Sequence, residues 1–149
     1  MSVKRIILQI AFFFLIVPMS FGQVRTVNIE GHDNLRYTVE TIKAKPGEKL
    51  KIVLKTVSVM DKSMMAHNWV LLKLGTDAMN FATKGLEHQD NDFIDPALKD
   101  KIIAKTKLVG NGEEDSVTFT VPQKKGTYTY LCTFRGHFQA GMKGKLIVE

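Results

Sequence analysis

The segment Tyr130–Met142 constrains this chain more than any other stretch. It holds the only cysteine in 149 residues, Cys132, with His137 five residues later and Met142 five residues after that. A thiol, an imidazole and a thioether on one short loop close on a single ion only if a stiff frame holds both ends of the loop. Each residue alone has a plainer reading: a lone cysteine is usually a small buried hydrophobe or a stray thiol. With His67, in the run Met65–Trp69, the four become a complete ligand set. Soft sulfur favours Cu(I), and imidazole serves both Cu(I) and Cu(II). Two histidines, one cysteine and a weak axial methionine make the blue-copper electron-transfer arrangement.

The remaining patterning is that of strands. In Lys49–Lys55, Leu50, Ile52 and Leu54 alternate with lysines, the period of a half-buried strand. Val24–Glu30, Leu35–Ala44, Trp69–Lys73, Ser116–Val121, Gly126–Thr133 and Lys143–Val148 read the same way, and Pro46-Gly47 marks a turn. Several short strands between turn signals predict an all-β sandwich. Residues 75–109 break the pattern. Thr76 is placed to cap one short helix, and Asp95-Pro96 to open another with proline at its first position.

The chain begins with Lys4 and Arg5, an apolar run from Ile6 to Val17, and small residues at Ser20-Phe21-Gly22. This predicts a secretory signal peptide over residues 1–22, cleaved before Gln23. The apolar run is shorter than the roughly 18 residues of a spanning helix, so stable membrane insertion is not expected. The mature residues 23–149 then form one exported domain, large enough to bury a core without staples. They must do so unaided, since one cysteine makes no internal disulfide. Losing Lys4 and Arg5 lowers the formal charge from +6 to +4, a mildly basic surface. No dense basic patch or motif suits nucleic acid.

The runs His67–Leu71, Ile103–Leu108, Gly112–Phe119 and Cys132–Phe134, with Gly136-His137 and Met142–Gly144, resemble azurin and auracyanin, single-domain cupredoxins. The resemblance covers Val27–Glu149. It implies a Greek-key β-sandwich with a short helical flap over the irregular region, and one type 1 copper held by His67, Cys132, His137 and Met142. It also implies amide donors to the Cys132 sulfur from Asn68 and Phe134. The chain departs from azurins at several points. The step from His137 to Met142 is five residues, as in auracyanin, where azurins have four. Arg135 replaces a common proline, Thr56 stands where some azurins have a histidine, and the azurin disulfide is missing. Ala66 replaces a glycine whose carbonyl approaches the metal in azurins, so an approach by the Met65 or Ala66 carbonyl stays open. His32 and His88 are expected at the surface, away from both ligand segments.

The leading expectation is therefore a monomeric, periplasmic or otherwise exported carrier of single electrons. Electrons would pass through His137, within an apolar patch drawn from Leu35, Met64, Met65, Phe138 and Ala140. The resemblance implies redox partners such as c-type cytochromes or an oxidase or reductase. A second class is a periplasmic copper protein for storage or delivery, which usually needs an open, exchangeable position. A third is an adhesion-like sandwich whose cysteine and histidines are incidental. An enzyme fits least, because no nucleophile–base pair is evident, and a dinuclear copper centre would want a second cysteine.

Overall fold

The computed structural model describes residues 22–149; the expected signal peptide, apart from its last residue, lies outside the described residues. Alternation along the chain becomes nine strands: β1 (Arg25–His32), β2 (Arg36–Tyr37), β3 (Thr41–Ala44), β4 (Lys49–Val57), β5 (Val70–Leu72), β6 (Ile102–Lys105), β7 (Glu114–Thr120), β8 (Gly126–Leu131) and β9 (Lys143–Val148). They form two sheets, one in the order β2-β1-β4-β7 and one in the order β3-β9-β8-β5-β6. β1 runs parallel to β4, and β3 parallel to β9; the other pairings are antiparallel. Parallel neighbours cannot be joined by a hairpin, so the chain crosses repeatedly between sheets.

The alternating residues of β4 decide which face is buried. Leu50, Ile52 and Leu54 are sealed, and the lysines stand outside or half outside. Opposite them, Trp69, Leu71, Tyr128, Tyr130 and Leu146 fill the space between the sheets. At about 25 cal/mol per Å² of apolar surface removed from water, each such side chain contributes about 1.5–3 kcal/mol.

Two expectations are corrected by pairing. Leu35–Ala44 is not one strand. β2 adds to one sheet, β3 to the other, and residues 38–40 carry the chain across. Leu35, at φ 58°, turns the backbone just before β2. Residues 75–109 are not wholly irregular either, because β6 pairs with β5 and closes the second sheet. Their apolar residues are too few and too interrupted to show a period.

The flap is a helix, α1 (Ala78–Gly85), and a 3-10 helix over Pro96–Lys101 with proline in its first turn. Asp77, not Thr76, caps α1 by accepting the Asn80 amide at 3.0 Å. Asp95 caps the 3-10 helix through the Ala97 amide at 2.9 Å. α1 packs Phe81 and Ala82 onto Val70, Leu72, Leu131 and Phe138, a second small core. That core lies against the ligand loop and seats it from the side.

Candidate copper centre

Each candidate ligand is placed by a strand end. β8 delivers Cys132 at its exit, and β9 begins one residue after Met142. The Cys132 amide donates to the Met142 carbonyl at 3.1 Å, so the loop closes at its base. Inside the loop, the His137 amide donates to Phe134 and the Met142 amide to His137, at 3.0 and 2.9 Å. Gly136 and Gly141, at φ 81° and 104°, supply the left-handed turns this path needs. His67 comes from elsewhere. It precedes β5 and exchanges amide and carbonyl with Val109 at 3.0 and 2.9 Å.

The two segments are bolted together by Asn68. Its side-chain NH2 donates to the Thr133 hydroxyl at 2.7 Å, and its side-chain oxygen accepts the Thr133 amide at 2.9 Å. Thr133 in turn donates to the Asp92 carbonyl at 2.6 Å. Asn68 and Thr133 are both buried, so these bonds meet little competition from water. The backbone amides of Asn68 and Phe134 donate to the Cys132 thiol, as the resemblance implies.

The donor atoms of His67, Cys132 and His137 lie within 4.8 Å of one another. Cys132 Sγ is 3.4 Å from His137 Nδ1 and 3.9 Å from His67 Nδ1. Metal bonds of about 2.0–2.3 Å at angles near 110–120° put sulfur and nitrogen about 3.5–3.8 Å apart. The donors are therefore spaced like ligands that could share one ion. Burial also sets their protonation. It lowers both imidazoles from 6.5 to about 4, and the charge of His137 adds to the effect on His67. Both rings are thus neutral at neutral pH and offer lone pairs. Burial pushes the Cys132 thiol up to about 12, against the pull of its two amide donors. A metal entering the site must displace that proton.

Met142 is fully buried on the same side. A feature invisible to ligand spotting is Gly31, near the end of β1. A Cβ there would lie 2.7 Å from His67 Cδ2 and 3.0 Å from Met142 Cε. The bare backbone of β1 is a wall against both side chains. Its only signal in the sequence is a glycine immediately after the strand-like run Val24–Glu30. The same closeness corrects the expectation for His32. β1 ends beneath the ligands, and a charge on His32 would oppose one on His67. His32 bonds Glu30 at 3.0 Å and remains half-exposed. His88 lies between the two flap helices, half-exposed and 3.7 Å from Asp95.

The expected exit patch is smaller than its candidates. Met64 is 69% exposed and Ala140 is exposed, but Met65 and Phe138 are buried. Phe138 turns inward to the core under α1, and Met65 enters the interior just ahead of His67. Trp69 and Phe134 serve as packing, Trp69 between Phe119 and Tyr130 and Phe134 against Phe93.

The sandwich and its three converging donors define a class, the cupredoxin with a type 1 copper. Residues 24–149 match the family of copper binding proteins described as the plastocyanin/azurin family, and the chain belongs to it. It is 37% identical to azurin of a Pseudomonas aeruginosa strain over 128 residues, 83% of this chain and 84% of that protein. With azurin of Achromobacter denitrificans the identity is 39% over 122 residues, 79% of this chain and 80% of that one. The fold is similar to that of auracyanin A, a blue copper protein from Chloroflexus aurantiacus. The TM-score is 0.75 and the identity 32%, over 85% of this chain and all of that one. The protein is a blue copper electron carrier, not an enzyme, with His67, Cys132 and His137 forming one type 1 site.

Proposed function

We propose that Met142 would complete the site as a weak fourth ligand and that electrons cross through His137 to exported redox proteins. The observation carrying this reading is the asymmetry of two otherwise similar histidines. His67 is fully enclosed, with its Nε2 sealed and unpartnered, while His137 keeps 4% of its surface at the molecular face. Met142 shares with His67 the wall made by Gly31, which brings its thioether end to the ligand cluster.

Copper, when bound, supplies the one-electron couple. The chain supplies everything else. Neutral imidazoles and a deprotonated Cys132 hold the donors. The Asn68 and Phe134 amides withdraw charge from the sulfur, which favours the reduced form. The Asn68–Thr133 link keeps the two ligand segments from separating. A frame that moves little between oxidation states lowers the reorganisation each transfer demands.

The mature chain is read as residues 23–149, freed of residues 1–22 and held in the periplasm or otherwise exported. Among the described residues no helix is long and apolar enough to cross a membrane. The partners proposed are c-type cytochromes or an oxidase or reductase, met by a monomer. Storage or delivery fits less well, because the donors are buried and tied on two braced segments.

The test is a visible spectrum of protein purified with copper. One copper per chain should give an intense thiolate-to-copper band that bleaches on reduction, and Cys132→Ser should abolish it. Met142→Leu should stay blue with a raised potential, because a donor favouring the oxidised ion is gone. An unchanged potential in that variant would remove Met142 from the ligand set.

A further inference from the structure

Two arginines flank His137, and neither has an acidic partner among the described residues. Arg135 is exposed two residues before His137, its guanidinium 6.0 Å from the centre of the Phe93 ring. Arg36 reaches the loop from β2 and donates from Nη1 to the Leu35 and Ala140 carbonyls, at 2.9 and 2.8 Å. Ala140 lies three residues past His137. A Cβ on Gly141 would be 3.0 Å from the same Nη1, so the guanidinium rests on the loop itself.

Two neighbouring lysines are paired. Lys62 pairs with Glu113, and Lys105 with Asp92. Asp33 turns one buried oxygen inward and accepts the Val59 amide with the other. Lys143 holds its ammonium 5.2 Å from the centre of the Phe138 ring and has no ion pair among the described residues. Beside the exit, Arg36 and Arg135 are two positive charges oriented by neutral groups. Arg36 uses one nitrogen for both of its bonds and so leaves the rest of its fork to a carboxylate. Charges farther off than about 8–10 Å are screened at physiological salt, so this local pair matters more than the net charge.

We infer that the face around His137 docks redox proteins whose own electron-transfer face carries carboxylates, with Arg36 and Arg135 as its two anchors. This rests on reading His137 as the exit. Association with such a partner is steered by complementary charge, which raises its rate at low salt.

The test uses hexacyanochromate(III), a redox-inert paramagnetic anion, titrated into the copper-loaded, reduced protein while amide signals are followed by NMR. Broadening should centre on residues 35–36 and 135–140. Arg36→Gln with Arg135→Gln should weaken binding by roughly tenfold. Arg36→Lys with Arg135→Lys should retain most of it, which separates charge from support of the loop. Lys124→Gln with Lys125→Gln removes equal charge just before the far end of β8 and should change nothing. Oxidation of the reduced protein by hexacyanoferrate(III), in which one electron passes and no bond or proton moves, should slow in the glutamine pair. Oxidation by the cationic tris(phenanthroline)cobalt(III) should quicken. Broadening scattered over the lysine-bearing strands, or equal anion binding by the glutamine pair, would overturn the inference. A chain that collects the anion here yet never turns blue with copper would instead overturn the reading of His137 as the exit, and with it the redox partner, leaving only an anion-binding surface.

Discussion

At Gly31 a single hydrogen atom is the whole of the side chain, and the ligand geometry depends on it. A methyl group there would press on His67 and Met142 together. Neither can retreat, since both are fully buried. Overpacking a filled interior costs about 1–3 kcal/mol. Gly31→Ala is therefore expected to lower thermal stability by that amount and to shift the charge-transfer band, with copper lost more readily to a chelator. A variant with the parent spectrum and parent melting point would show that β1 is not the wall described. Asn68 makes the complementary case. Its amide withdraws charge from sulfur through the backbone, while its side chain holds Thr133. Asn68→Ala keeps the first and removes the second. Each buried polar group left unpaired costs about 1–3 kcal/mol. Lower stability and faster copper release should follow, with colour retained; an unaltered release rate would count against the link.

Among the elements, β4 and the Cys132–Met142 loop were legible in the sequence because their signals are local. Alternation in β4 names its own buried face, and the sulfur and imidazole donors on one loop name their own chemistry. β6 and the division between β2 and β3 were not legible. Their strand character comes from neighbours distant in sequence: β6 is a strand because β5 offers it an edge, and Thr41–Ala44 leaves the first sheet because β9 receives it. The same reason hid Gly31 and brought His32 nearer than expected, since only the parallel pairing of β1 with β4 carries the end of β1 under the ligands. Phe138 lies inside, against the sequence expectation, because α1, which covers it, is itself a weak signal. Its burial makes the flap part of the ligand frame. Phe138→Ala should leave a cavity beneath the loop and cost about 3–5 kcal/mol. Urea unfolding of the metal-free variant checks this, and a loss below about 1 kcal/mol would mean the loop is held without the flap.

Across the whole molecule, acid is the condition that distinguishes this interior. His67 and His137 stay neutral in the fold down to about 4, against an ordinary 6.5. Between those values the unfolded chain binds protons that the folded chain refuses, so stability is full above 6.5 and drains as pH falls toward 4. Glu48 and Glu113, lowered from 4.5 by their bonds to Arg25 and Lys62, add to the loss only at the acid end. Thermal melts of the metal-free protein should therefore already decline between pH 6.5 and about 5, before carboxylates take part. A flat melting temperature over that interval would show that the rings are not sealed.

Trp69 gives this state a signal of its own. It is the only tryptophan, it touches Phe119 of one sheet and Tyr130 of the other, and its indole nitrogen is buried without a partner. An excited indole with neither water nor a hydrogen-bond acceptor at hand has nothing to relax against. Its emission should sit at the short-wavelength limit for tryptophan and move to longer wavelength only when the two sheets part. The chain thus reports the closure of its own sandwich as the colour of its fluorescence.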